Sequence, residues 1–291
     1  MEDMPITLST PAAAALPEVI DALSVWQQDG LPFQLHPGDL GWAWQIGAPA
    51  LAARVRAWRR DGQIAAVGFL DGAALLRLAI APEAGNDEQL ADAMLHDVSN
   101  PRQGVLPAGP ASIEAGFGEA LRGRLRNSGW TAGEAWTPLT RDLAGSVPEC
   151  GLRIETVGPA LATARRMVQN AAFSSRNFTE ERWHAMAAGY AYRSARCLLA
   201  YDAAGTAVAT ATVWSAGPGR PGLLEPMGVH DGHRGHGYGT AITLAAASAL
   251  REMGASAAHV YAEASNTAAV ATYSSAGFVR GPDSPDFHRD G

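Results

Sequence analysis

Residues 223–240 read Leu-Leu-Glu-Pro-Met-Gly-Val-His-Asp-Gly-His-Arg-Gly-His-Gly-Tyr-Gly-Thr. The apolar stretch Leu223 to Val229 has the composition of a buried strand. After the loop, Ile242, Ala246, Ala249, Leu250 and Met253 recur at helical spacing, and Gly254 closes the run. The glycines at 235, 237 and 239 therefore sit where a strand turns into a helix. Glycine at alternate positions lets backbone approach a bulky anion without Cβ clashes. The first turn of the helix adds N–H groups without intrahelical partners and the positive end of the dipole, which together favour a phosphate or pyrophosphate. Arg234, Gly235, His236, Gly237, Tyr238, Gly239 and Thr240 are the candidate anion cradle. No Gly-Lys-Ser/Thr follows, so the loop is not a Walker A motif, and G-x-G-x-G is not the dinucleotide spacing. A strand-to-helix turn with no ligand would be written with the same residues.

Working outward, the second half reads as strand 152–157, helix 159–171, then a polar loop with a second helix inside 174–189. Strands 196–201, 206–215 and 223–229 follow, then helix 238–253, strand 257–263, helix 267–276 and two short end strands. This order predicts an α/β fold with a mixed sheet. Asn266 or Thr267 can cap the helix that carries Tyr273, and Gly277 can end it in left-handed geometry. Sliding the chain by 148 residues reveals a repeat. Pro5 to Pro11 lies on Arg153 to Pro159, Ala81-Pro82 on Val229-His230, Gly129-Trp130 on Gly277-Phe278, and Leu139 to Asp142 on Phe287 to Asp290. Two tandem domains, 1–145 and 151–291, are expected around the linker-like Ala144-Gly145-Ser146-Val147-Pro148.

The 291 residues are 47% hydrophobic and carry a net charge of −7. That is ample for two cores and unsuited to nucleic-acid binding through phosphate neutralisation. No run of about 18 apolar residues is present and the N-terminus lacks a signal-peptide pattern, so no membrane span and a cytoplasmic location are expected. Cys150 and Cys197 form neither a metal nor a redox spacing. His230, His233 and His236 straddle a strand end and a loop instead of one helical face, so no metal is expected.

Together, Arg234, Gly237 and Gly239, followed by Asn266, Ala269, Tyr273 and Gly277-Phe278, resemble the GNAT superfamily of acyl-CoA-dependent N-acyltransferases. The resemblance covers residues 152–290 and implies a tandem-domain form, each domain a mixed, mostly antiparallel sheet flanked by helices. It implies acetyl-CoA as acyl donor, with pantetheine lying between strands 223–229 and 257–263. Backbone groups at Met227 and Val229 would meet the pantetheine amides and thioester, and Asn266 the cofactor arm. It assigns Tyr273 as the proton donor to the departing thiolate, although a buried packing Tyr reads the same. Glu225, of the same strand parity as Met227 and Val229, is a candidate base; a solvent-facing Glu at a strand end fits equally. Glu263 is a second acidic candidate, for base or for a cationic acceptor. Arg176, in the polar loop 174–178, is a candidate for an acceptor carboxylate.

At the repeat offset, Arg234, Gly237 and Gly239 become Asn86, Gln89 and Ala91, and Tyr273 becomes Leu125. Asp87 and Glu88 add negative charge there, so the first domain is expected to be degenerate. The function expected is N-acetylation of a small-molecule amine. The alternatives are a non-catalytic acetyl-CoA sensor or interaction protein, or acetylation of a cysteinyl conjugate. Oligomeric state is left open.

Overall fold

The computed structural model describes residues 5–290. In chain order the elements are β1 (Thr7–Ser9), α1 (Leu16–Trp26), α2 (Pro37–Ala43), α3 (Ala48–Arg54), β2 (Val55–Arg60), β3 (Gln63–Leu70) and β4 (Leu75–Ile80). Then come α4 (Glu88–Ser99), β5 (Ala111–Glu114), α5 (Glu119–Asn127) and β6 (Thr131–Asp142). The second half supplies β7 (Arg153–Thr156), α6 (Ala162–Ala172), α7 (Glu180–Ala187), β8 (Ala195–Tyr201), β9 (Ala207–Trp214) and β10 (Gly222–Val229). It ends with α8 (Tyr238–Glu252), β11 (Ala257–Glu263), α9 (Thr267–Ser275), β12 (Val279–Arg280) and β13 (Ser284–Arg289). No helix among the described residues is long and apolar enough to cross a membrane.

The chain divides into two compact units. Unit 1 takes the chain up to His36, then Ala48–Trp136, then the chain from Asp283 on. Unit 2 takes Pro37–Gly47 and Thr137–Pro282. Three segments thus depart from the expected division at 145–151. Residues 37–47 join unit 2, β6 begins in unit 1 and ends in unit 2, and β13 joins unit 1.

Unit 1 carries the strand order β1-β2-β3-β4-β5-β13-β6. Its pairs are antiparallel except β4 with β5, which run parallel through Leu75↔Ser112, Leu76↔Ile113 and Arg77↔Glu114. Unit 2 carries β7-β8-β9-β10-β11 and then β6, whose Leu139 and Thr140 also pair with β12. Here β10 and β11 run parallel, whereas β7 with β8, β8 with β9, β9 with β10 and β12 with β6 are antiparallel. Each unit is therefore a mixed, mostly antiparallel sheet with flanking helices.

The 148-residue offset holds at both ends of α5 and α9 and aligns β1 with β7 and β4 with β10. Both helices close alike. Trp130 N–H donates to Leu125 O, and Phe278 N–H to Tyr273 O, each at 3.1 Å around a left-handed glycine, Gly129 or Gly277. The repeat's last members are exchanged. Leu139 is buried in the core of unit 2 and Phe287 in that of unit 1.

In unit 2 the central strand β9 is buried from Val208 to Trp214, as a strand covered on both faces must be. Its threonines stay tolerable because Thr210 Oγ1 donates to Leu198 O at 2.8 Å and Thr212 takes part in a buried polar cluster. That cluster centres on Arg165 of α6, which is fully buried. Arg165 donates to Cys197 Sγ, Gln169 Oε1 and Thr212 Oγ1 and lies 4.8 Å from the Phe178 ring centre. Both cysteines are free. The polar stretch after α6 is loop up to Thr179, whose hydroxyl accepts from Arg182 N–H and starts α7 at Glu180, inside the 174–189 stretch expected to hold a loop and a helix.

Candidate active site

Strand β10 sets the geometry. Its parallel ladder with β11 covers Gly222↔Ala258 and Leu223↔His259, whereas its antiparallel ladder with β9 continues through Met227↔Ala211 to Val229↔Ala209. From Met227 to Val229, then, the strand ladder lies on the β9 side, and β10 and β11 part beyond Leu223. Such a split presents backbone donors and acceptors that an extended ligand can pair with, as an added strand would. A register shift between Leu224 and Met227 makes a bulge at Glu225-Pro226.

The bulge corrects one piece of sequence reasoning. Strict alternation put Glu225 on the face of Met227 and Val229. With the bulge, Leu224, Met227 and Val229 all pack toward the α8 cluster, so parity cannot be carried through to Glu225. Glu225 is linked to Tyr273 by charge instead. Burial pushes the Tyr273 hydroxyl far above its ordinary 10.0, and the Glu225 carboxylate pushes it further. Tyr273 is 6% exposed, sits on α9 within the unit 2 core, and tilts against Phe278 with ring centres 6.1 Å apart. It keeps its proton across the ordinary pH range.

Beyond β10, a 3-10 turn at Asp231–His233 leads into the glycine loop. Gly235 (φ +82°) and Gly237 (φ +78°) both occupy left-handed backbone, and a Cβ on either would meet open space. Backbone conformation selects glycine at these two positions. Gly239 differs: its Cβ would come within 2.9 Å of Thr272 Cγ2, so this glycine lets α8 and α9 approach. The sequence reading, which gave all three glycines to close anion approach, missed that division of labour.

Gly237 is the N-cap of α8 and makes no side-chain cap; the first bond inside the helix is Ala241 N–H to Gly237 O at 3.1 Å. The amides of Tyr238, Gly239 and Thr240 fall in the first turn of α8, where a helix supplies no intrahelical acceptors. His236 shapes the loop from within: its Nδ1 bonds to the carbonyls of Arg234 (2.9 Å) and His233 (3.2 Å), and its ring stacks on Tyr238 at 5.7 Å. Arg234 is exposed and donates to Ala172 O at 2.8 Å, fastening the loop to the end of α6. His230 Nδ1 accepts from Gly232 N–H, and its ring meets His233 edge-on. Among the described residues no three His, Cys, Asp or Glu are grouped to hold a metal.

The remaining candidates lie at the periphery. Asn266 is exposed and caps α9, its Oδ1 accepting from Ala269 N–H at 3.1 Å. Glu263 is exposed at the end of β11, and Arg176 is exposed in the loop before α7. Two neighbours of the split were not singled out in the sequence. A Cβ at Gly228 would overlap Ala172 and Phe173, so Gly228 admits the end of α6 over the strand. Trp214, 1% exposed, donates its indole N–H to Glu225 O at 2.6 Å. No local pattern marks either one, because both depend on what packs across the strand.

Residues 164–278 match the model of the acetyltransferase (GNAT) family. A mycothiol acetyltransferase of Sanguibacter keddieii is 41% identical over 61 residues, a stretch covering 21% of this chain and 19% of that protein. A mycothiol acetyltransferase of Nocardia farcinica is 30% identical over 272 residues, 80% of this chain and 82% of that protein. A solved tandem GNAT protein from the clavulanic acid biosynthesis pathway shares the fold, with a TM-score of 0.62 at 18% identity over 98% of both chains. The split strands, the uncapped glycine loop and the long similarity agree: this chain belongs to the GNAT family of acetyltransferases.

Proposed function

We propose that the chain transfers the acetyl group of acetyl-CoA to a small-molecule amine, by direct attack in a ternary complex, at one site in unit 2. The observation that carries this reading is convergence. The parting of β10 from β11, the uncapped start of α8 just after β10, and the charge link from Glu225 of β10 to Tyr273 of α9 all belong to unit 2. The residues fit the donor. The α8 amides and Arg234–Thr240 suit a pyrophosphate, Met227 and Val229 offer backbone to pantetheine, and Asn266 is the residue this reading assigns to the cofactor arm. Acetyl-CoA would supply an activated acetyl thioester.

The chain's own groups would move the protons. Amines of pKa about 8 to 10.4 are mostly protonated at neutral pH, so one must lose a proton before it attacks. Glu225 is the base in this reading, with Glu263 better placed to attract a cationic acceptor. Tyr273, held protonated by burial, serves as acid for the leaving thiolate. Arg176, exposed on the 174–178 loop, is available to an acceptor carboxylate.

Unit 1 is read as degenerate. Asp87 caps α4 by accepting from Leu90 N–H at 2.9 Å and pairs with Arg60, whose hydrogen bond holds that carboxyl below its usual range. Its own carboxylate thus takes the place an anion would need. Arg77, at the repeat position of Glu225, pairs with Glu114 across the parallel strands β4 and β5.

Mass spectrometry of acetyl-CoA incubated with a polyamine, an aminosugar, an amino-acid ester and a cysteinyl sugar conjugate tests the reading. One N-acetylated product is expected. Tight acetyl-CoA binding with no product would favour a non-catalytic sensor. Acetylation of the cysteinyl conjugate alone would favour the mycothiol-synthase-type step, a second reading motivated by the mycothiol acetyltransferase relative from Nocardia farcinica.

A further inference from the structure

The bulge at Glu225-Pro226 interrupts the ladder between β9 and β10, so the Glu225 carbonyl needs a partner from elsewhere. Trp214, the last residue of β9, provides it through the 2.6 Å indole N–H bond. The indole is itself held. Gly38 and Gly41, one turn apart on α2, face it so closely that a Cβ on Gly38 would lie 2.5 Å from Cγ, and one on Gly41 would overlap the far edge of the ring. Tyr192 closes another side edge-on, with ring centres 6.0 Å apart. A side chain gripped in this way has one orientation, and so has its N–H. The segment that makes the grip, 37–47, comes from the first half of the sequence but belongs to unit 2.

We propose that Trp214 is a positioning residue for the transfer. Its N–H fixes the backbone of Glu225 at the mouth of the strand split, and the Gly38/Gly41 slot fixes Trp214. This rests on the reading of Glu225 as the base. The consequence is specific to this chain: a short helix of its first half sets the geometry of a catalytic group in its second.

The experiment is a double-mutant cycle of Trp214→Phe with Glu225→Gln, using the fastest amine of the panel above. Trp214→Phe keeps an aromatic ring and removes the donor. The expected result is a roughly tenfold or greater loss of kcat, acetyl-CoA affinity within about twofold of the parent, and an altered acid limb in the kcat–pH profile. Adding it to Glu225→Gln should cost almost nothing further. Hydrogen exchange supplies a readout independent of turnover: amides at Met227 to Val229 should exchange faster, with α8 unchanged. Gly41→Ala, which retains the indole but crowds its slot, should reproduce the pattern and replaces Trp214→Phe if that variant does not fold.

Losses that add in full, or faster exchange throughout unit 2, would make Trp214 an ordinary packing residue and overturn the proposal, leaving Glu225 as base. Unaltered kcat and exchange in Trp214→Phe would also overturn it. If Glu225→Gln alone keeps the parent kcat, the base assignment falls and the positioning role falls with it, a result distinguishable from the others by that single variant.

Discussion

Tyr273 is packed as a core residue, and the proton-donor role proposed for it rests on that packing. Its ring belongs to the unit 2 core, and the burial that puts it there keeps the hydroxyl protonated. Tyr273→Phe preserves the ring and deletes the donor. Acetyl-CoA affinity should stay nearly constant while single-turnover acetylation slows, by up to the 10²–10⁴-fold typical of general acid catalysis. Parallel loss of affinity and stability would instead show a purely structural hydroxyl. Gly237→Glu acts on the donor side. The left-handed φ of +78° penalises any side chain, and a carboxylate would lie beside the amides proposed to receive a pyrophosphate. Calorimetry should register no acetyl-CoA binding, and unchanged affinity would remove the glycine loop from the site. The sequence exposed both residues through their spacing, but not that Gly235 and Gly237 answer to φ while Gly239 answers to packing.

At the scale of elements, α8 and α9 meet through Gly239 and Thr272. Gly239→Ala should destabilise unit 2 by about 1–3 kcal/mol, the usual cost of overpacking, and weaken acetyl-CoA binding by shifting the α8 amides. Thr272→Ala removes the methyl at 2.9 Å, so the double variant should recover much of the loss in urea unfolding. Strand β13 supplies a pH-dependent counterpart in unit 1. Burial and the nearby Glu114 charge push the Asp286 carboxyl up to about 7 from 3.8, against the opposing Trp136 N–H and Arg77. A raised folded-state pKa means that the native unit holds a proton the unfolded chain releases, so stability falls as pH rises from about 4 to about 7. Asp286→Asn should raise the melting temperature at pH 8, leave it nearly unchanged below pH 4, and flatten the decline between. The cap of α9 at Asn266 and its left-handed end at Gly277 were legible beforehand, because each depends on residues a few positions apart. The bulge in β10 was not: Leu223 to Val229 reads as one continuous apolar strand, and only pairing with β9 displaces Glu225 from the alternation.

For the whole molecule, titration with acetyl-CoA should give one site per chain, since α4 in unit 1 is capped by Asp87 and Arg77 is tied to Glu114. Two equivalent sites would refute the degenerate reading of unit 1. The tandem repeat, the glycine loop and the helix that carries Tyr273 were all determined by sequence alone, because turn stereochemistry and helical or strand periodicity are local properties. The membership of three segments was decided only by tertiary structure. Leu139–Asp142 and Phe287–Asp290 carry equivalent patterns, and backbone ladders bond in the same way whatever their side chains, so either segment could have completed either sheet. The chain closes each sheet with the other repeat's strand, burying Phe287 in unit 1 and Leu139 in unit 2. Gly38 and Gly41 likewise say nothing by themselves; they acquire meaning where the Trp214 indole fills the space their missing side chains leave, because close packing is a relation between residues far apart in sequence.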